Sequence, residues 1–564
     1  MKKVPEVKIL SVSESEALLI RAAAGNLTAD DIVLIRQTFE TLKYITDLLH
    51  QKKVQVKTLL KRIFGIKSEK SKKVKEQLKS KTTPKNTDFS PDSKTKDTDM
   101  PARAADSAEP ELKEKPKGHG RYTVDDYAGA EQHEIAHLNL AHKDPCPECQ
   151  QGKVYQMREL GVLIHFQGQP SISANVFRPQ KLRCNLCGEI FTAELPDDLS
   201  AKETDGGRYY DPSAKSIMAI LRYGSGLPLN RISDLQKNLG IPLAVSTIWD
   251  KTKEAAMAAA PAFEALWQLA AQGSIIHNDD TGMKILEAIR EIGKESENTD
   301  RKTRTGIFTT GVVSIWQGQK IALFITSRQH AGENFADLLR QREAGRAPPI
   351  QMCDAKSGNT PKDAAVIISY CNTHARRKFV DVAEDFPEQC LYAITEVFGK
   401  IYKHDAIAKQ QLLSDAERLR FHQQNSKPVM EAFFDWLNDQ FDQRLVEPNS
   451  SLGKAISYVI THWEPLTRFL HVPGVPLDNN ICERALKKAI LHRKNSLFYK
   501  TDTGARVGDM FMSLIHTCVL SGKNPFDYLT QLQIHQEMVS KAPERWLPWN
   551  YRKTITSLSL AGAA

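Results

Sequence analysis

Long apolar segments are absent from this sequence. No stretch reaches the roughly 20 consecutive apolar residues that a membrane-spanning helix needs. The N-terminal residues MKKVPEVKIL also lack the apolar core of a signal peptide. Hydrophobic residues make up 41% of the chain and charged residues 26%, which is ordinary for a globular protein. We therefore expect a cytoplasmic protein of about two to four domains, without a membrane partner.

Cysteine is too scarce and too unevenly placed for a disulfide framework. Of the nine cysteines, four form two C-x-x-C pairs, which favours a reducing compartment and a metal site. The pairs are Cys146 with Cys149 and Cys184 with Cys187, and the segment between them alternates like short strands. The pattern predicts a structural Zn²⁺ ion in a zinc-ribbon-like module over residues 140–197, with reduced thiols as the alternative.

Large apolar side chains are nearly missing from residues 67–120, where Lys, Ser, Thr, Asp and Pro dominate. Such a segment cannot bury enough surface to offset the entropy lost on ordering. It predicts a flexible basic linker, which either tethers its neighbours or contacts a DNA backbone. The net charge of the whole chain is +9, which permits nucleic-acid binding without requiring it.

Residues 27–66 predict one long helix, which Asn26 or Thr28 could cap. Apolar residues recur every seven positions, at Ile35, Leu42, Leu49, Val56 and Ile63. A second apolar row is interrupted by polar residues. A coiled coil and an amphipathic helix packed on the same protein therefore fit the pattern equally.

Residues 205–272 predict an all-helical region. Helices are expected at Pro212–Tyr223, Asn230–Asn238 and Val245–Ala260. The last two flank a turn at Gly240 and are arranged like a helix-turn-helix, whose second helix Ser246 or Thr247 would open. Any pair of adjacent helices gives this pattern, so DNA binding here is one of two interpretations.

Strand patterns begin at residue 273. Strands are predicted at 273–281, 305–317, 320–328 and 348–354, and helices at 330–343 and 364–384. This is the order of an RNase H-like α/β fold, a mixed sheet flanked by helices that collects metal-binding carboxylates at one edge. We expect this catalytic core to span residues 273–384 and 471–521, interrupted by an all-α insertion over 385–470 and followed by a C-terminal tail over 522–564.

Three acids are candidates for a metal site. Asp279 and Asp354 end the first and fourth predicted strands, and Glu483 lies on a basic helix. Two divalent ions held by such carboxylates can activate an attacking oxygen and stabilise a leaving oxygen, and Mg²⁺ prefers oxygen ligands. Each acid has an ordinary alternative, since the aspartates could be turn residues and Glu483 could form a capping box with Asn480.

Basic residues surround these acids in the sequence. Charge runs usually mark a solvated surface, but beside acidic metal ligands they can also hold phosphates. The predicted DNA-binding residues are Arg376, Arg377, Lys378, Arg484, Lys487, Lys488, Arg493 and Lys494. His374, beside the first cluster, is interpreted as a core histidine or a phosphate contact, with a proton carrier as the third possibility.

Five segments carry a resemblance to a known family. They are HNDDT (277–281), CNTHARRKF (371–379), DNNICERALKKAI (478–490), RKNSLF (493–498) and LPWN (547–550). With them the chain resembles transposases of the IS66 insertion-sequence family. The resemblance implies a DDE transposase whose triad is Asp279, Asp354 and Glu483, working with Mg²⁺ or Mn²⁺.

The resemblance also implies partners. These are the terminal inverted repeats of a transposon, target DNA, a second copy of the chain in a homodimer or higher assembly, and, for some family members, small companion proteins. Bacterial cytoplasm and the nucleoid are the expected location.

Three positions depart from the family pattern. Asp280 stands where Glu is usual, the five residues after Asp354 differ from the usual Asp-Gly-aromatic pattern, and the aromatic before the His-Ala-Arg-Arg run is missing.

The expected activity is hydrolysis at transposon ends, followed by transfer of the new 3′-OH into target DNA. A decayed transposase that only binds DNA, and an RNase H-like nuclease that cuts without joining, are the alternatives.

Overall fold

The computed structural model describes part of the chain, namely residues 12–39, 141–145, 147, 152–155, 171–178, 180–183, 190–193, 209–298 and 304–562. The four predicted zinc ligands, the predicted linker and most of the predicted coiled coil lie outside the described residues. Residues Lys85–Pro170 form a unit of their own. In the described part, no helix is long and apolar enough to cross a membrane.

The N-terminal region begins earlier than predicted. Helix α1 spans Val12–Ala23 and was not predicted, and a second helical stretch covers residues 29–39. The Thr28 hydroxyl accepts the Asp31 N–H (3.2 Å), which confirms one of the two predicted caps. Arg21 forms an ion pair with Asp31 (2.7 Å), which joins the two helices.

A small hairpin and a helical region precede the large sheet. Strands β1 and β2, Lys181–Arg183 and Ile190–Thr192, pair antiparallel. The helices are α2 (Pro212–Ala219, continued by a π-helical turn over Ile220–Gly224), α3 (Leu229–Asn238) and α4 (Val245–Ala271). Their starts agree with the prediction within one residue.

Helix α4 differs from the prediction in two ways. It continues through Pro261 to Ala271, and its N-cap is Ala244, which makes no side-chain cap, instead of Ser246 or Thr247. A proline inside a helix costs about 3 kcal/mol. Small residues on both sides of it, including Ala259 and Ala262, are fully buried, so packing of this face outweighs that cost.

The large sheet has five strands in the order β5-β4-β3-β6-β7. They are β3 (Ile275–Gly282), β4 (Phe308–Trp316), β5 (Gln319–Ser327), β6 (Ile350–Cys353) and β7 (Ile367–Tyr370). The first three are antiparallel, whereas β6 is parallel to β3 and β7 is parallel to β6. A mixed sheet flanked by helices is therefore present, as predicted.

Two elements of this core were predicted wrongly or missed. The segment Ile367–Tyr370 was assigned to a helix, but it forms strand β7 because it pairs with β6 along its whole length. Helix α5 (Leu286–Asn298) follows β3 and was not predicted. In the first case the apolar run continues directly into a helical sequence, and periodicity alone does not separate a short buried strand from a helix.

Helices complete the fold. Helices α6 (Ala331–Leu339) and α7 (Asn372–Val382) belong to the core. The regular elements of residues 387–470 are all helical, and turns connect them. They are α8 (Pro387–Leu391), a π-helical stretch (Tyr392–Phe398), α9 (Gly399–Gln410), α10 (Asp415–Asn425), α11 (Lys427–Asp442), α12 (Ser451–Thr461), α13 (Trp463–Thr467) and a 3-10 turn (Arg468–Leu470). The remaining helices are α14 (Asn480–Ser496), α15 (Asp502–Leu520), α16 (Pro525–Ile534), α17 (Gln536–Lys541) and α18 (Tyr551–Gly562).

The segment predicted as a C-terminal tail is part of the core. Tyr528, Trp546 and Tyr551 are each at most 1% exposed, and they belong to the same apolar cluster as Phe511 of α15. The prediction of a tail was wrong because its aromatic residues were not treated as core residues, although such side chains bury large areas.

Helix α15 closes one edge of the sheet. Side chains four residues apart on the helix accept N–H groups two residues apart on the outer strand β5, since both spacings measure about 6–7 Å. The bonds run from Thr326 N–H to Asp509 Oδ2 (2.6 Å), from Phe324 N–H to Ser513 Oγ (2.9 Å) and from Ala322 N–H to Thr517 Oγ1 (3.0 Å). An exposed strand edge would otherwise offer these donors to another chain.

The substitution Asp509→Asn tests this edge. Burial raises the pKa of Asp509 to about 7 from an ordinary value of 3.8. The folded state therefore binds this proton more tightly than the unfolded state does. The contribution of the proton to the free energy of unfolding is complete below about pH 4 and is lost as the pH rises through about 7. In the unchanged protein, linkage limits the loss of unfolding free energy across this range to about 4 kcal/mol. We expect Asp509→Asn to reduce this loss, which is seen as a smaller fall in melting temperature between about pH 4 and about pH 7.

Ser513→Ala is the matched control. It removes one acceptor from the same edge without changing a charge, so it should lower stability by about 1 kcal/mol at every pH. Equal pH dependence in the Asp509→Asn variant and the unchanged protein would contradict the raised pKa.

Candidate functional site

Two of the three predicted acids lie on neighbouring strands. Asp279 is in β3, opposite Gly311 of β4, and Asp354 directly follows β6. Because β3 and β6 are adjacent and parallel, the carboxyl-terminal ends of both strands face the same edge of the sheet. Strand β3 continues to Gly282, so the alternative of Asp279 as a turn residue is wrong. Asp354 does make a turn, since its Oδ1 accepts the Lys356 N–H (3.1 Å).

One amide joins the two acids. Asn359 Nδ2 donates to Asp279 Oδ1 (3.2 Å) and also to Asp354 Oδ1. The Asn359 carbonyl accepts from Asn278 Nδ2 of β3 (2.8 Å) and from Gln351 Nε2 of β6 (2.7 Å). Asn359 is fully buried. The loop after Asp354 is thereby fastened to both strands that carry the acids.

The acids are held at an electrostatic cost. Burial, and next the nearby Asp354 carboxylate, raise the pKa of Asp279 to about 7. Two carboxylates that share one donor form a compact set of hard oxygen ligands, which is the type of site that Mg²⁺ and Mn²⁺ prefer. The residues present therefore fit a divalent cation, whose charge would favour the ionised form of Asp279.

Asp280 has a different role from its neighbour. Successive side chains of a strand point to opposite faces, and the Asp280 carboxylate is only 3% exposed and paired with Lys356 Nζ (2.7 Å) and His330 Nδ1 (3.0 Å). Lys356 Nζ also lies 5.7 Å from the centre of the Phe308 ring. Asp280 and Lys356 are both departures from the family pattern, and they contact each other.

The third acid lies on a helix fastened to β3. Asn479, the N-cap of α14, donates from Nδ2 to the Asn278 carbonyl (3.0 Å), and its Oδ1 lies 3.1 Å from His277 Nδ1. Burial lowers the pKa of His277 to about 4, so the ring is neutral, and Nδ1 must donate because the amide oxygen only accepts. This fixes the first turn of α14, with Glu483, beside the strand residue that precedes Asp279.

The carboxylate of Glu483 faces helix α7. Its Oε1 lies 3.6 Å from His374 Nδ1, and its Oε2 lies 4.0 Å from Arg377. The predicted alternative of a capping box with Asn480 is wrong, because Asp478 Oδ1 accepts the Asn480 N–H (3.0 Å). The structure thus joins Asp279 and Asp354 through the Asn359 amide and connects Glu483 to β3 through Asn479 and Asn278.

The predicted basic residues of α14 divide by exposure. Arg484, Lys487 and Lys494 are exposed and recur at intervals of three and seven, which places them on one face of the helix. Lys488 is half-buried. Arg493 bonds to Thr281 Oγ1 (3.1 Å) and to the Gly282 carbonyl, so it holds the end of β3.

The basic residues of α7 are less available to a ligand than predicted. Arg376 is only 7% exposed, so it is not part of an exposed phosphate-binding surface. Arg377 lies beside Glu483. Lys378 is exposed, and its Nζ lies 5.0 Å from the centre of the Tyr458 ring. In helix α7, as in α14, the exposed positions are a subset of the predicted positive charges.

Sequence reasoning missed Asn359, Asn479 and Lys356. Asn359 follows Asp354 by five residues, and Asn479 precedes Glu483 by four. A polar amide beside a candidate metal-binding acid was the available signal, because carboxylates at such sites usually accept hydrogen bonds from neighbours. The partners themselves depend on strand pairing that the sequence did not reveal.

A double-mutant cycle tests the shared amide. Asp279→Asn removes a negative charge that lies beside the Asp354 carboxylate, so it should raise stability by about 1 kcal/mol, whereas Asn359→Ala should lower stability by about 2 kcal/mol. The double variant should be more stable than the sum of the two changes predicts, by about 1–2 kcal/mol, because the amide matters less once one carboxylate is gone. Denaturant unfolding without added metal measures each value.

Asp363→Asn, on an exposed aspartate of the following loop, is the control and should change stability by less than about 0.5 kcal/mol. Strict additivity of Asp279→Asn and Asn359→Ala would show that the amide does not couple to the acid.

Lys356→Met tests the buried ion pair. The substitution keeps most of the apolar stem but leaves the Asp280 carboxylate with His330 alone. We expect a loss of about 1 kcal/mol, at the low end for a buried carboxylate because the Lys356 side chain is 47% exposed and water screens the pair. Lys362→Met, at an exposed lysine nearby, should be neutral in the same unfolding measurement. Equal effects of the two substitutions would rule out a specific role for the pair.

The chain is similar in sequence to proteins of a known family. The sequence profile described as "Transposase IS66 family" matches residues 207–507. The chain is 25% identical over 406 residues to the uncharacterized protein y4hP of Sinorhizobium fredii, a match that covers 68% of this chain and 69% of that protein. It is 32% identical over 202 residues to the uncharacterized protein y4jD of the same organism, covering 35% of this chain and 38% of that one. Since the family profile spans more than half of the chain and includes all three acids, this protein belongs to the IS66 family of transposases.

Proposed function

We propose that this chain is a DDE transposase of an insertion sequence, with an RNase H-like catalytic core. The strand order, with three antiparallel strands followed by two parallel ones, supports that fold. The observation that carries the proposal is the placement of Asp279 and Asp354 at the ends of β3 and β6, on one shared donor. In a family of transposases, paired carboxylates at this place are suited to phosphoryl transfer.

The proposed reaction has two steps. In the first, water attacks the phosphorus at a transposon end, and the bond from phosphorus to the 3′ oxygen of the element breaks. This leaves a 3′-OH on the element and a 5′-phosphate on the flanking DNA. In the second, this 3′-OH attacks a phosphorus of target DNA and displaces a 3′ oxygen there. Each step forms one P–O bond and breaks one, so no external energy source is required.

The residues have separate roles in this proposal. Asp279, Asp354 and Glu483 bind the divalent cations, Mg²⁺ or Mn²⁺. Bound cations would activate the attacking oxygen and stabilise the leaving oxygen. Asn359 positions the two aspartates, and Asn479 positions the helix that carries Glu483. The cations also offset the repulsion between a phosphate and the three carboxylates.

The exposed basic face of α14 is the proposed DNA surface nearest the acids. Arg484, Lys487 and Lys494 lie along one side of the helix that begins beside β3. Phosphate contacts of this type fix the register of a strand without reading its sequence. Arg493 would act indirectly, since it holds the β3 end in place.

Other regions are assigned by analogy with what two transposon ends require. We propose that the cysteine-rich module binds structural Zn²⁺ and, together with α3 and α4, holds the terminal inverted repeats. The N-terminal helices would pair two copies of the chain, because two ends must be processed together. Small companion proteins of the same element are further candidate partners.

The decisive experiment uses the full chain with labelled terminal-repeat DNA, a target plasmid and Mg²⁺. Cleavage followed by joining supports the proposal. Cleavage without joining indicates a nuclease, and binding without cleavage indicates a regulator. Adding the companion proteins of the element separates an inactive chain from one that needs helpers.

Single substitutions of the acids provide the residue-level prediction. Asp279→Asn, Asp354→Asn and Glu483→Gln should each lower the rates of cleavage and joining by about 1,000-fold or more, because each removes a charge that holds the cations. DNA binding, measured by gel shift, should change little. Asp363→Asn should retain full activity. Activity that survives Asp354→Asn would remove that acid from the triad.

A further inference from the structure

A second group of possible metal ligands lies beside the paired aspartates. Cys371 Sγ, one nitrogen of His374 and one oxygen of Glu483 all lie within 4.8 Å of one another. They come from two helix starts, since Cys371 caps α7, His374 lies in its first turn, and Glu483 lies in the first turns of α14. Three different ligand types converge at one point.

The polar atoms of this group are not satisfied by the protein. His374 Nδ1 and Glu483 Oε1 are buried atoms that lack a hydrogen-bond partner among the described residues, and they face each other at 3.6 Å. Leaving a buried donor or acceptor unmade costs about 1–3 kcal/mol. Two such atoms pointing at each other, with a thiol beside them, are better explained by a shared cation than by separate structural roles.

The sulfur of Cys371 is held in a fixed position by the start of the neighbouring helix. Cys371 is fully buried, and its Sγ accepts the Asn479 N–H (3.2 Å). Burial raises the pKa of this thiol, so a bound cation would be needed to hold the sulfur as a thiolate. Asn479 thus bonds to both Cys371 and β3, so the group is held rigidly against the sheet.

We propose that Cys371, His374 and Glu483 bind one transition-metal ion, Zn²⁺ by the chemistry of the ligands. Thiolate and imidazole select zinc and related ions, whereas Mg²⁺ takes oxygen ligands. The side chains of His374 and Glu483 are 22% and 25% exposed, which leaves room for water as a fourth ligand. Glu483 Oε1, which faces His374, would bind this ion, whereas its other oxygen, Oε2, would remain available to the Mg²⁺ or Mn²⁺ held with Asp279 and Asp354. The inference rests on the proposed function only in taking Glu483 as a metal ligand.

The test counts metal ions bound to the full chain without DNA. The protein is stripped with a chelator, reloaded with Zn²⁺, washed and measured by elemental analysis. Cys371→Ser and His374→Ala should each bind one zinc ion per chain fewer than the unchanged protein. Cys390→Ser, at another buried free cysteine, and His471→Ala, at an exposed histidine, should bind the same number as the unchanged protein.

A separate variant measures the zinc that the predicted zinc module binds. Cys146→Ser with Cys149→Ser should lower the zinc content independently, so that its loss and the loss from Cys371→Ser add. Reloading with Co²⁺ provides a spectroscopic check, because the sulfur-to-cobalt absorption that Cys371 contributes should vanish in Cys371→Ser and His374→Ala and persist when Cys146 and Cys149 are replaced. If Cys371→Ser does not fold, as judged by circular dichroism, Glu483→Gln replaces it.

Equal zinc content in the unchanged protein, Cys371→Ser and His374→Ala would overturn the inference. That result is distinct from failure of the proposed reaction, which is measured with Mg²⁺ and DNA. Zinc binding without DNA cleavage would leave the site in place and remove the transposase activity. Cleavage without zinc binding at Cys371 would leave the proposed reaction in place and remove the zinc site.

Discussion

The structure of the site depends on one electrostatic conflict, the placement of two carboxylates side by side on one shared donor. Neighbouring parallel strands place Asp279 and Asp354 at the same edge, where burial and next the Asp354 carboxylate raise the pKa of Asp279. The side-chain amide of Asn359 donates to both carboxylates, and the main-chain carbonyl of Asn359 accepts hydrogen bonds from β3 and β6. The strands thus hold the loop, and the loop holds the acids. Like charges held close together are common where function overrides stability.

Glutamate and aspartate reach this edge by different routes. The aspartates are placed by backbone pairing within the sheet, whereas Glu483 depends on Asn479, whose contacts run to both Cys371 and Asn278. More than a hundred residues separate Glu483 from Asp354 in the sequence, and the helical segment over 387–470 occupies most of that interval. Its apolar cluster includes residues of α7 and the loop before α14, so the insertion supports the helices that carry His374 and Glu483.

The sequence revealed the larger elements because their signals are local. Alternation and acids at strand ends predicted β3 to β6 and the paired aspartates, and family motifs predicted Glu483. The sequence did not reveal β7, whose four residues form a strand only because β6 lies beside them. It also missed Asn359 and the Lys356–Asp280 pair, since both depend on contacts across about 80 positions. Arg376 showed the opposite error, because a charged residue in a basic run proved to be buried.

Both outer strands of the sheet are engaged by the protein itself. Along β5 the donors go to Asp509, Ser513 and Thr517, and at β7 the Ile368 carbonyl accepts from Arg468 Nε (3.2 Å). A second copy of the chain therefore has no free backbone ladder on β5 to extend. A contact between copies at this edge would have to be made by side chains of the helices. Side-chain contacts of this kind can form and separate without unfolding the core.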